Sequence, residues 1–190
     1  MPRPHPVPIR AIILAGGLST RMGRDKSKLR LGRYTLAGWL RRTCESAGLT
    51  TSILRRDLVP RCGPLGGIWT GLRTTRGRAV VFVSCDMPFL TAKLLRKLVR
   101  LARQSQGPVF CSDHGLVGFP LLLWKANLPQ IEQQLNRSVL SLQSLAKALP
   151  AVLLESTEAD RAQRLNVNTP EDWEAAQAKW AERRIKQASL

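Results

Sequence analysis

Metal-binding clusters are what this sequence most plainly lacks. Cys44, Cys62, Cys85 and Cys111 stand far apart with no C-x-x-C pair, and only His5 and His114 are there to join them. That spacing argues against a zinc or iron–sulfur site and suits a reducing cytosol. No run approaches the roughly 20 apolar residues of a membrane span. The proline-rich start, MPRPHPVPIR, has no apolar stretch of the kind a signal peptide carries. A soluble cytoplasmic protein with no membrane contact is the expectation. Aromatic stacking surface is also scarce, with one tyrosine and four phenylalanines, which argues against nucleic acid as a ligand.

Acidic residues are nearly absent from one half. Residues 1–103 hold 21 Lys and Arg but only Asp25, Glu45, Asp57 and Asp86, whereas residues 104–190 hold nine of each sign. The net charge of +17 therefore lies in the first half, and such a field favours polyanions: a nucleotide, a phosphorylated metabolite or nucleic acid. The alternative is a solvated basic surface. At 190 residues, 44% of them hydrophobic, the chain suits a single domain spanning 1–190.

What is present reads as alternating strands and helices. IRAIILAGG predicts a buried strand at about Arg10–Leu14, following a proline-rich tail over residues 1–9. YTLAGWLRRTCESAG predicts a helix that places Leu36, Trp39, Leu40 and Cys44 on one face and stops at Gly48. TTSILRRD reads as a strand and Ile68–Thr74 as a short helix. RAVVFVSCDMP gives the strongest strand signal, Ala79–Ser84, and Thr91 then caps a helix with Leu94, Leu95, Leu98 and Val99 on one face. GPVFCSD and GLVGFPLLLW read as two further strands. Helices follow near Leu128–Leu135 and Val139–Leu149, then a strand at Ala151–Leu154. Thr169, Pro170, Glu171 and Asp172 mark the start of a C-terminal helix over residues 170–188. This alternation predicts an α/β fold with a mainly parallel sheet. Ligands of such sheets sit beyond the carboxyl ends of the strands, where Gly16, Asp57 and Asp86 are expected to converge.

The segment LAGGLSTRMGRDKSKL, residues 14–29, fits neither the P-loop nor the dinucleotide glycine template. Gly16 and Gly17 nonetheless allow close backbone approach and an anion nest. Arg21 and Lys26, joined by Arg24 and Lys28, bring charge to phosphates; the plainer reading is a glycine turn with surface cations. Asp86 ends an apolar strand, where an acid is costly unless paired or metal-bound. Beside phosphates it suits Mg²⁺, and otherwise a helix cap or an ion pair. Asp57 can accept bonds from a ribose or a base, or simply balance Arg55 and Arg56, while Gly63, Gly66 and Gly67 give either a flat floor for a base or an ordinary turn. Asn166 and Asn168 alternate along an extended segment and can face one ligand. Asn168 is equally the residue before a capped helix.

LAGGLSTRMGRDKSKL, GPLGGIWTGL, VFVSCDMPFL and NVNTPEDW occur in the order found in the molybdenum cofactor guanylyltransferases, MobA-like nucleotidyltransferases, which this chain resembles from about residue 10 to 175. The resemblance implies a Rossmann-like domain that joins GMP, from GTP, to the terminal phosphate of Mo-molybdopterin and releases pyrophosphate. It implies that Leu14, Ala15, Gly16 and Gly17 lie against the nucleotide and that Lys26, with Arg21, neutralises its phosphates. Asp57 then helps hold the nucleoside, and Asp86 binds Mg²⁺. Asn166 and Asn168 lie near the pterin phosphate. No protein nucleophile is needed, because the pterin phosphate itself attacks, and catalysis rests on position and charge. Handover of the product to molybdoenzymes or their chaperones is implied as well.

Two departures from the family pattern stand out. Only LTTSILRR separates Gly48 from Asp57, so one early strand–helix unit is missing. Gly118-Phe119-Pro120 stands where relatives often show His-Pro. Transfer of CMP to the pterin, or of a nucleotide to a sugar phosphate, remains open on the same fold. A basic nucleic-acid-binding or regulatory protein is the alternative outside it.

Overall fold

The computed structural model describes residues 8–16, 28–59 and 61–188. In chain order the elements are β1 (Ile9–Leu14), a hairpin of β2 (Arg30–Leu31) and β3 (Tyr34–Thr35), α1 (Leu36–Ser46), β4 (Thr50–Leu54) and α2 (Gly63–Thr74). There follow β5 (Ala79–Ser84), α3 (Ala92–Ser105), β6 (Val109–Asp113) and β7 (Leu116–Trp124). A 3-10 turn at Lys125–Asn127 leads to α4 (Leu128–Asn136) and α5 (Leu142–Ala148), then β8 (Val152–Glu155), α6 (Glu158–Gln163) and α7 (Pro170–Ala188). Among the described residues no helix is long and apolar enough to cross a membrane.

Six strands form one sheet in the order β4-β1-β5-β7-β6-β8. Its middle strand explains the layering. Every residue of β5 from Ala79 to Val83 is buried, and successive side chains point to opposite faces. Ala79, Val81 and Val83 pack with Leu40 and Cys44 of α1 and Leu94, Leu95 and Leu98 of α3. Val80 and Phe82 pack on the other side with Ile68 and Leu72 of α2, Ile131 of α4 and Leu145 of α5. A strand covered on both faces has no polar side, which is why it reads as a continuous apolar run. α2 approaches closely because Gly71 carries no side chain: a Cβ there would lie 2.7 Å from the Phe82 ring and 2.9 Å from Ile12.

β4, β1 and β5 are parallel, as are β6 and β8, while β7 runs antiparallel between β5 and β6. The reversal comes from a two-residue turn, His114–Gly115, with φ of 48° and 78°. Both angles are positive, as a tight hairpin turn requires. The sheet is therefore mixed, with one antiparallel strand in an otherwise parallel set.

Several boundaries differ from expectation for local reasons. α2 begins at Gly63 rather than near Ile68, because Pro64 is favourable in a first turn. GPLGG is thus the start of the helix and not a turn before it. α5 starts after Ser141, whose side chain accepts from Ser144 N–H. The hairpin β2–β3 and the short helix α6 were not predicted. Between α1 and Asp57 the chain forms only β4, which is an edge of the sheet, in line with a missing strand–helix unit.

Candidate active site

Leu14, Leu54 and Ser84 are register partners across β1, β4 and β5, so three loops leave the sheet from one line. Two backbone bonds carry that alignment past the strand ends: Ala15 N–H donates to Leu54 O at 2.8 Å and Cys85 N–H to Leu14 O at 3.1 Å. The chain passes from β1 outward to β4 and then back across to β5. The sheet order reverses between β1 and β5, where an open α/β sheet forms its crevice.

Asp57 occupies one end of this line. Its carboxylate is packed among three glycines. A Cβ on Gly67 would lie 3.3 Å from Asp57 Oδ1 and 3.1 Å from Leu14 Cδ2; on Gly66, 3.4 Å from Oδ2; on Gly16, 3.6 Å from Oδ1. The Gly66 position would also meet Val59 O at 2.9 Å, a backbone atom that cannot yield cheaply. Leu14, Gly16, Asp57, Gly66 and Gly67 therefore form one small cradle, which a side chain at Gly66 would disrupt. Burial raises the Asp57 pKa above the ordinary carboxylate range, because the charged form loses hydration. The adjoining segment is pinned by Leu58 N–H, which donates to Thr70 Oγ1 at 3.0 Å. Gly66 of this cradle lies in the first turn of α2, at the positive end of the helix dipole.

Asp86 lies at the other end, two residues beyond β5. Its Oδ1 is buried and, among the described residues, has no hydrogen-bond partner. A carboxylate oxygen in that condition is costly, and a cation beside it would relieve the cost. Among the described residues no three His, Cys, Asp or Glu side chains lie close enough to hold a metal. A Mg²⁺ ion there would bind through this one carboxylate and the phosphates of a ligand, which is the usual manner of that ion. The residues present fit it.

Asn166 and Asn168 come to the same place. Val167 between them is buried, and its N–H donates to Asp86 O at 2.8 Å. Asn166 is exposed and Asn168 half-buried, so the two asparagines flank an inward valine. Asn168 and Thr169 both donate backbone N–H to Asp172 Oδ2, at 2.8 and 2.9 Å, and Asp172 N–H returns to Thr169 Oγ1. Thr169 thus caps α7 as predicted. Gly17, Arg21, Arg24 and Lys26 lie outside the described residues.

One residue near this site was not singled out from the sequence. Arg164 donates from Nε to Phe119 O at 2.9 Å and from Nη1 to Ser156 Oγ at 2.6 Å and Ser112 O at 3.3 Å. It ties β6, β7 and the loop after β8 together just before Asn166. A Cβ on Gly118 would lie 3.0 Å from its Nη2. The guanidinium thus fills the space above Gly118, which gives the Gly-Phe-Pro departure a structural partner. Its sequence signal was its position two residues before Asn166.

A three-layer α/β sheet whose switch point carries a glycine loop and a strand-end carboxylate has the build of a nucleotidyltransferase. The MobA-like NTP transferase domain matches residues 11–152, and the chain belongs to that family. A protein of Mycobacterium tuberculosis named "Probable molybdenum cofactor guanylyltransferase" is 32% identical over 177 residues, covering 80% of this chain and 88% of that one. One of the same name from Opitutus terrae is 29% identical over 191 residues, covering 89% and 95%. The fold is shared with the molybdopterin-guanine dinucleotide biosynthesis protein A of Archaeoglobus fulgidus, at TM-score 0.78 and 17% identity over 91% of this chain and 99% of that one. It is shared also with the 2-C-methyl-D-erythritol 4-phosphate cytidylyltransferase of Thermus thermophilus, at TM-score 0.67 and 18% identity over 90% and 98%.

Proposed function

We propose that this chain, acting as a single cytoplasmic domain, transfers GMP from GTP to Mo-molybdopterin and releases pyrophosphate. The observation that carries the reading is the shared line on which the Asp57 cradle and the orphaned Asp86 oxygen sit, with the Asn166–Asn168 segment bonded to Asp86. The names of the guanylyltransferase relatives support the choice of substrates.

In this reading the nucleoside lies against Leu14, Ala15 and Gly16, and Asp57 accepts hydrogen bonds from its hydroxyl or base N–H groups. Asp86 would hold Mg²⁺, which supplies charge neutralisation to the triphosphate when bound. A phosphate oxygen of molybdopterin attacks the α-phosphorus in line; the new P–O bond forms as the bond to the β-phosphate oxygen breaks, and the electron pair leaves with pyrophosphate. Lys26 and Arg21 are assigned to the charge that builds on the transferring and leaving phosphates. Asn166 and Asn168 orient the attacking phosphate by hydrogen bonds. The substrates and the leaving group are all anions, which gives the basic first half a role in attracting them. The product would pass to molybdoenzymes or their chaperones.

The test is pyrophosphate release by the purified protein with Mo-molybdopterin, Mg²⁺ and either GTP or CTP. Release with GTP at least about tenfold faster than with CTP is expected, a ratio within reach of site hydrogen bonds to a base. Equal or faster release with CTP would overturn the assignment of GTP.

A further inference from the structure

The main sheet does not use α7. Among the described residues, neither of the two large apolar clusters that cover its faces contains a residue of that helix. α7 instead closes a third, separate cluster, in which its Ala176 is buried with Phe89 and Val167, and its Trp173 and Trp180 pack around them with Leu29. The partners of α7 come from three places. Leu29 leads into the hairpin β2–β3, Phe89 belongs to the loop that follows Asp86, and Val167 stands between Asn166 and Asn168.

Each of those segments has a second tie to α7. Trp180 lies 4.5 Å from Trp39, which meets Tyr34 edge-on at 5.2 Å and donates from Nε1 to Leu31 O at 2.8 Å. Gly32, at the turn of the hairpin, has φ of 63°, and a Cβ there would lie 3.2 Å from Trp180 Nε1. The indole is therefore seated directly on the hairpin. Lys179 Nζ sits 4.8 Å above the Phe89 ring, in cation–π range. Asp172 holds the N–H groups of Asn168 and Thr169. Trp180 Nε1 is buried and, among the described residues, has no hydrogen-bond partner; its ties to the hairpin are contacts of shape.

We propose that α7 is a clasp for these three segments and that Trp180 is a positioning residue: seated on the hairpin and packed against the Phe89–Val167–Ala176 cluster, it keeps α7 in place and through it holds Val167 against Asp86, and so sets Asn166 and Asn168 relative to the Asp86 carboxylate. The inference rests on the reading of these residues as the phosphate side of the active site. Its physical reporter does not. The bond from Val167 N–H to Asp86 O joins the two segments, and exchange of that amide measures their docking whatever the substrate is.

Amide hydrogen exchange on the full chain, for the wild type, Trp180→Ala and Trp180→Phe, tests the clasp. In Trp180→Ala the Val167 amide should exchange at least about tenfold faster while the amides of Val81 and Phe82 in β5 keep their protection, as a local opening requires. Trp180→Phe, which keeps an aromatic ring and removes the orphaned donor, should restore Val167 protection. With GTP and Mo-molybdopterin, Trp180→Ala should lose kcat by about a hundredfold with the nucleotide KM within about twofold, the pattern of misplaced reacting groups, and Trp180→Phe should recover it. Unchanged Val167 exchange in Trp180→Ala would overturn the clasp. Faster exchange throughout β1 and β5 would overturn it too, by showing a role in the whole fold. If the wild type made no dinucleotide, the proposed substrates would fall while the Val167 amide still decided the clasp.

Discussion

Asp57 is assigned to the nucleotide in an environment that disfavours its charge. Burial among glycines raises its pKa, so the folded chain takes up a proton there more readily than the unfolded chain does. At neutral pH the ionised carboxylate therefore subtracts from stability, and that penalty fades as pH falls through the raised value. Nucleotide binding should run the other way, because only the carboxylate accepts hydrogen bonds at both oxygens. Asp57→Asn is expected to melt no lower than wild type at pH 7 and to bind nucleotide about tenfold more weakly. Wild-type affinity should drop as pH falls towards the raised pKa, and the variant should lose that dependence; calorimetry across pH 4–8 measures both. Cys44 and Cys111 show burial of another kind. Their thiols are pushed up to about 12 chiefly by burial, so they stay protonated packing groups and take no part in chemistry.

The helices divide by what they cover, and the sequence disclosed that division unevenly. α3 was legible to its cap, because Thr91 accepts from Leu94 N–H and its leucines repeat at helical spacing. β5 was legible as an unbroken apolar run. The antiparallel course of β7 was not, although the His114–Gly115 turn carried a hint of it. β2–β3 and α6 were too short for periodicity to register. α6 is held instead by a capping box between Thr157 and Asp160 and by Lys97 Nζ, 3.2 Å from Asp160, and the lysine partner lies 63 residues away. Asp86, Asp57 and the asparagines could be picked out by residue type, but the junction of Asp86 with the asparagines through Val167 could not. Long-range contacts of that sort leave no periodic trace. The α2 packing makes a direct prediction at this scale. Gly71→Ala should cost about 1–3 kcal/mol, since the added methyl meets the Phe82 ring and Ile12 in a core with no room to yield, and urea denaturation would show it as a lower midpoint.

At the scale of the molecule, two layers of helices make a rigid sheet, and the chemistry is placed on its carboxyl edge by loops that the sheet alone does not fix. In the proposed clasp, α7 supplies that fixing from outside the main core. The basic half of the chain carries Asp57 and Asp86, while the more balanced half contributes the asparagine segment and α7. The central proposal is direct transfer of a nucleotidyl group between two bound anions, with Asp86 at the centre. Incubation of the protein with Mg²⁺, Mo-molybdopterin and GTP labelled at its α-phosphate tests this most directly. The label should move to a pterin dinucleotide only when molybdopterin is present, none should remain on the protein, and Asp86→Ala should abolish the transfer. Label bound covalently to the chain, or undiminished transfer by Asp86→Ala, would contradict it.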